Sequence, residues 1–167
     1  MIGYIILAVV VLFIAVLLVR TAAFRPAPLP EETFEDIEFD KKAAEERLGK
    51  LVKCRTVSFN DHSLEDDAEF EKLIKMLPEL YPNVFKTCEY TELADRGILF
   101  RWKGKSAGAK DPAVLMAHYD VVPVERDKWE RDPFGAEIID GVMWGRGTLD
   151  TKVTFNGILS AAETLIG

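Results

Sequence analysis

Cysteine is scarce in this chain. Cys54 and Cys88 are its two cysteines, far apart and without CxxC spacing. That spacing excludes a zinc knuckle and a thioredoxin-type redox motif, and buried free thiols are the plain reading. Positive charge is also short. Lys and Arg number 21 against 28 Asp and Glu, giving a formal charge of -7. Nucleic-acid binding needs a basic face, so no nucleic-acid partner is expected. Internal repeats and long low-complexity tracts are absent, which excludes a solenoid or a compositionally biased linker protein. A length of 167 residues suggests about one domain. Histidine is scarce too. His62 lies in the polar loop NDHSLEDD and reads as a surface residue, which leaves His118.

What the chain does have begins at its N-terminus. Ile2 to Val19 carries no charge. As a helix rising about 1.5 Å per residue it spans about 27 Å, close to the hydrocarbon core of a bilayer. A helix apolar on every side has no place on a small soluble domain. The rival reading is a cleaved signal peptide, favoured by the small residues Thr21, Ala22 and Ala23. Against cleavage, the run is long for such a peptide and no Lys or Arg precedes it. The expectation is therefore a single-pass membrane anchor over residues 1–20. Arg20 and Arg25 flank it, a signal too weak to decide the side of the membrane. Residues 21–39 read as a Pro-rich and acidic linker, an extended spacer around FRPAPLP. The globular part is expected over 40–167.

Within that part, Ala44, Leu48, Leu51 and Val52 make one apolar stripe, predicting a helix over Lys41–Lys53 with Asp40 as N-cap. Phe70, Leu73, Ile74 and Leu77 repeat the pattern, predicting a helix over Leu64–Leu77 that Pro78 and Pro82 end. Val84–Thr91 and Gly97–Lys103 read as strands. A loop of small and charged residues, Gly104–Asp111, precedes Ala113–Ala117. That run, AVLMA, reads as a strand buried on both faces. Glu137–Ile139 and Val142–Trp144 form a hairpin around Asp140-Gly141. A last helix runs Thr151–Ile166, with Phe155, Ile158, Leu159, Ala162, Leu165 and Ile166 on its packed face. Helices alternating with strands predict an α/β fold.

Two short segments carry the chemistry. Met116-Ala117-His118-Tyr119-Asp120-Val121-Val122-Pro123-Val124 places a His and an Asp at the end of the expected buried strand, where α/β sheets gather their sites. A neutral imidazole is a good zinc ligand, and Asp120 is close enough in sequence to hold its other ring nitrogen. The plainer reading is a His and an Asp that cap a strand. Gly145-Arg146-Gly147-Thr148-Leu149-Asp150-Thr151-Lys152 brings Asp150 to the start of the last helix, where an Asp is most often an N-cap. The flanking glycines give the backbone freedom to aim a ligand instead.

The strings HYDVVPV and GRGTLDTK, in this order, resemble the M20 family of zinc peptidases and amidohydrolases, in its carboxypeptidase S and Gly-X carboxypeptidase branch. The stretch from Asp127 to Gly147 and the segment Leu51 to Ser58 are similar to that family as well. The resemblance implies a mixed-sheet zinc-exopeptidase domain, of which residues 40–167 form the N-terminal portion. It implies that His118 ligates one zinc, that Asp150 bridges two, and that Asp120 serves catalysis by orienting His118. The substrate it implies is a peptide or N-acyl amino acid, hydrolysed at an amide bond. A homodimer at full length is left open. The family pattern continues with a Glu-Glu pair, a further acidic ligand and a second His. Glu163 has no acidic neighbour and reads as a solvated helix position. The expectation is thus a fragment, from an incomplete gene model or a frameshift, that alone binds zinc weakly and hydrolyses nothing. The alternative is a non-catalytic membrane protein that uses a degenerate half-domain for binding or assembly.

Overall fold

The computed structural model describes residues 1–26, 38–106 and 111–167. Most of the linker expected over 21–39 and the middle of the loop expected over Gly104–Asp111 lie outside those residues. The chain divides into two units, Met1–Ile37 and Glu38–Gly167. The first is built on helix α1, Ile2–Ala23, whose apolar side chains are all exposed.

In the second unit, helix α2 (Lys41–Val52) is capped by Asp40, whose carboxylate accepts the Ala43 N–H at 2.9 Å. Its stripe buries Leu51 and Val52 completely. Helix α3 runs Asp67–Leu80 with Asp66 as its cap. It passes through Pro78 and does not stop there. The missing N–H costs one helical bond. Carrying on past it buries Leu80, and burial is worth roughly 1.5–3 kcal/mol for a leucine.

Helix α4, Pro82–Thr87, replaces the first half of the strand expected over Val84–Thr91. Pro82 suits a first helical turn. The two N–H groups that follow, on Asn83 and Val84, are both accepted by the Glu163 carboxylate at 3.0 Å. Strand β1 is therefore Glu89–Glu92, paired antiparallel with β2, Ile98–Arg101. Phe85 of α4 packs on the facing pair Tyr90 and Phe100 with ring centroids 5.1 Å away.

Strands β3 (Glu137–Ile139) and β4 (Val142–Trp144) form the expected hairpin. Asp140 and Gly141 both take positive φ, 51° and 78°, as a tight two-residue turn requires. Helix α5, Lys152–Ile166, packs against α2 and α4. The core gathers Leu51, Cys54, Phe70, Leu73, Leu77, Tyr81, Tyr119, Phe155 and Leu159. Helices with small sheets agree with the α/β expectation at that coarse level.

Two sequence readings are corrected here. Ala113–Ala117 is not a buried strand. Among the described residues no strand pairs with it, and Val114, Leu115 and Met116 are 73, 72 and 82% exposed. An apolar run becomes a buried strand only where neighbours satisfy its backbone groups. The second correction concerns α5. Leu165 is exposed, and the packed face includes Lys152, Asn156, Ser160 and Glu163 beside Phe155 and Leu159. Glu163 is 6% exposed and is not a solvated position. Its two backbone partners on α4 supply the compensation that a buried carboxylate needs.

Candidate functional site

His118 and Asp120 lie on an irregular extended segment that other elements hold from both sides. On the backbone side, Val121 N–H donates to Thr56 O at 2.8 Å and Ser58 N–H donates to Val121 O at 3.0 Å. These bonds make a parallel bridge between Val57 and Val121. The buried Thr56 hydroxyl donates to Tyr119 O at 2.6 Å. On the side-chain side, Tyr119 sits in the core against Phe70 and Phe155. Its hydroxyl donates to Arg96 O. The segment is thus fixed by the 55–58 stretch and the core, not by the sheet expected from the sequence.

Arg96 anchors the far end of that clamp. Its guanidinium lies 3.8 Å from the Phe70 ring centroid and donates to Glu65 at 2.5 Å and to Asp67. Glu65 also accepts the Phe59 N–H at 3.0 Å. That backbone bond first, then Arg96 and His62, holds the Glu65 carboxyl down at about 2. His62 itself is exposed, as expected of its loop.

Asp150 reaches the site from the other segment. Gly145 packs so closely on α2 that a Cβ there would lie 2.6 Å from Val52 Cγ1. Gly147 has φ of 93° and packs on Val121 and the Lys152 stem. The Lys152 ammonium is fully buried and donates to Leu51 O at 2.9 Å and Cys54 O at 2.7 Å. It thereby holds a carbonyl of the last turn of α2 and one just beyond its end. Burial pushes its pKa down to about 8. Asp150 does not cap α5; the N-cap position is Thr151.

The structure brings His118, Asp120 and Asp150 together. His118 Nδ1 is 3.1 Å from both the Asp120 carbonyl O and its Oδ1. On the opposite side of the ring, His118 Nε2 is 3.3 Å from Asp150 Oδ1. With Nδ1–H donated to Asp120, Nε2 turns its lone pair toward a carboxylate oxygen. A proton on Nε2 or a metal cation between the two atoms bridges such an approach. All three side chains are open to solvent, Asp150 most of all at 82%.

The profile of peptidase family M20/M25/M40 matches residues 114–166, a stretch that contains all three. The chain is similar to probable carboxypeptidase S-like 2 of Dictyostelium discoideum, 35% identical over 80% of the chain and 25% of that protein. It is 34% identical to the N-fatty-acyl-amino acid synthase/hydrolase PM20D1 of Xenopus tropicalis, over 93% of the chain and 31% of that protein. For the human protein of that name the identity is 35%, over 76% of the chain and 25% of the relative. The chain belongs to the M20 family. It spans about a quarter to a third of the length of these relatives.

The M20 donor set can be tested for fit against this geometry. Donors on a tetrahedral zinc with bonds of about 2.0–2.1 Å lie about 3.4 Å apart. His118 Nε2 and Asp150 Oδ1, at 3.3 Å, fit two adjacent positions on one ion. Asp120 occupies the other ring nitrogen, as an outer carboxylate on a ligating His does. No cluster of three or more His, Cys, Asp or Glu suited to a metal occurs among the described residues. Sequence reasoning missed Lys152 and Thr151 beside His118, Asp120 and Asp150. The available signal was polar residues at helical spacing, Lys152, Asn156 and Ser160, inside an otherwise apolar helix.

Proposed function

We propose that this chain carries part of the site of a zinc-dependent hydrolase acting on the amide bond of a peptide or an N-acyl amino acid. In this reading residues 40–167 are the N-terminal portion of a mixed-sheet zinc-exopeptidase domain. The observation that carries it is the 3.3 Å approach of His118 Nε2 to Asp150 Oδ1, with Asp120 on the far ring nitrogen. Membership of the M20 family supports the hydrolytic class. The names of the relatives, carboxypeptidase S-like and N-fatty-acyl-amino acid synthase/hydrolase, support the substrate class.

His118 and Asp150 would hold zinc, Asp150 being the ligand shared with a second ion. Asp120 would fix the tautomer and ring plane of His118 and raise its basicity. Bound zinc supplies Lewis-acid polarisation of the scissile carbonyl and a water acidic enough to be a nucleophile at neutral pH. The residues of this chain orient the ligands and leave them open to solvent, where a substrate can approach. With these two donors, the 167-residue polypeptide alone binds one zinc weakly.

The test is zinc titration of the purified chain in detergent by competition with a chromophoric chelator. His118→Ala and Asp150→Ala should each abolish the site, and His62→Ala should leave it unchanged. Equal binding by the parent and the Asp150→Ala variant would defeat the reading. For the reaction, this chain continued through the remaining length of its M20 relatives should release an amino acid from an N-acyl amino acid and lose that activity with chelator.

We further propose that α1 anchors the chain in a membrane. Its 22 residues are long and apolar enough to cross one by length and composition, a test that a signal sequence also passes.

A further inference from the structure

Thr151 follows Asp150 and stands at the N-cap of α5. A threonine there ordinarily turns its hydroxyl to an N–H of the first helical turn. Here no side-chain cap bond forms. The hydroxyl donates instead to His118 O at 2.8 Å and lies 3.3 Å from His118 N, which donates back to it. One side chain therefore grips both backbone polar groups of the residue whose ring faces Asp150. We propose that Thr151 is a positioning residue that sets the separation of His118 and Asp150.

Among the described residues no other hydrogen bond joins His118 to the 150 segment. The clamp made by Thr56, Ser58, Arg96 and the core acts on Tyr119 and Val121, which meet the second segment by packing, Val121 on Gly147 and Tyr119 on Phe155, and not by a hydrogen bond. Lys152 ties the 150 segment to α2 through hydrogen bonds to Leu51 O and Cys54 O, neither of them to His118. The Thr151 hydroxyl gives the two halves of the site a direct backbone link. A hydroxyl can serve as donor and acceptor at once, so one group closes both bonds. Valine has nearly the same shape and can close neither, whereas serine keeps the hydroxyl.

The proposal rests on the zinc reading above, so its test has one arm with metal and one without. In the first, Thr151→Val, Thr151→Ser and the parent, all full length in detergent micelles, are titrated with Zn2+ and with Co2+. Loss of an outer-sphere partner typically weakens metal binding by about 10–100-fold. That loss is expected for Thr151→Val, with a changed Co2+ visible spectrum, while Thr151→Ser stays within about threefold of the parent. In the second arm, with no metal added, the NMR cross-peak between the His118 ring and the Asp150 β-protons is expected in the parent and in Thr151→Ser. It should be weakened or lost in Thr151→Val. An unchanged cross-peak in Thr151→Val overturns the proposal, whatever the metal titration gives. Failure of the parent itself to bind either metal defeats the zinc reading and leaves the cross-peak to decide on Thr151. A general loss of folding in Thr151→Val, seen in the tryptophan resonances, transfers the decision to Thr151→Ala in the same two arms. Parent-like binding and cross-peak in that variant overturn the proposal.

Discussion

Glu65 carries a charge that the fold uses outside the His118, Asp120 and Asp150 group. Its side chain is 2% exposed and ties the 59–65 loop to Arg96, which in turn holds Tyr119. Its folded pKa of about 2 lies below its ordinary value of 4.5. The folded state thus binds fewer protons than the unfolded state between those values, and stability falls as pH drops through that window. Glu65→Gln should lower the melting temperature at pH 7, and the gap to the parent should narrow steadily from about pH 4.5 to pH 2. A gap that is the same at pH 7 and pH 3 would refute the assignment. Nothing in the string NDHSLEDD marks Glu65 out from its acidic neighbours. Its role comes from Arg96, which only the fold brings near. His118, Asp120 and Asp150 were legible as a group only through the resemblance of HYDVVPV and GRGTLDTK to the M20 family, since by residue type and spacing alone each reads more plainly as a strand or helix cap. Their grip was not, since Thr151 looks in sequence like any helix cap.

At the scale of elements, α4 and α5 show where local pattern fails. The chain over Val84–Thr91 is rich enough in β-formers to read as a strand, yet Pro82–Thr87 is helical. Glu163, most of a helix away on α5, satisfies two of the N–H groups that open α4. Periodicity assigns α5 correctly but turns its packed face, because Asn156 and Ser160 are buried through bonds to Tyr81, Ala44 and each other. A window of sequence cannot show such partners. Glu163→Ala should leave both N–H groups of α4 unpaired in a buried place and cost about 2–4 kcal/mol in chemical denaturation. Amide exchange should quicken at Asn83 and Val84 more than elsewhere. A loss below about 0.5 kcal/mol would mean that water replaces the carboxylate freely. The strand expected at Ala113–Ala117 failed for a related reason. Its hydrophobicity is genuine, but strand formation depends on partners that no window reports.

For the whole molecule the open matter is how the two units are used. Helix α1 is uniformly apolar around its circumference and ends with Arg20 in its last turn. Its 22 residues extend about 33 Å, which matches a hydrocarbon core of about 30 Å with little tilt. Its isoleucines, leucines, valines and Phe13 are exposed, with no packing partner among the described residues of their own unit. Water is a poor solvent for that surface, and a bilayer removes it at no backbone cost because the helix satisfies its own hydrogen bonds. Expressed in cells, the intact chain should sediment with membranes and resist alkaline carbonate, and deletion of residues 2–23 should release it. A cleaved signal sequence gives a different result. The recovered chain would then start near Ala22 or Ala23, and it would leave the membrane with carbonate. The mass of the N-terminal peptide decides between them. A peptide retaining Ile2–Val19 in the carbonate-resistant fraction supports the anchor, and its complete absence from the recovered protein would overturn it.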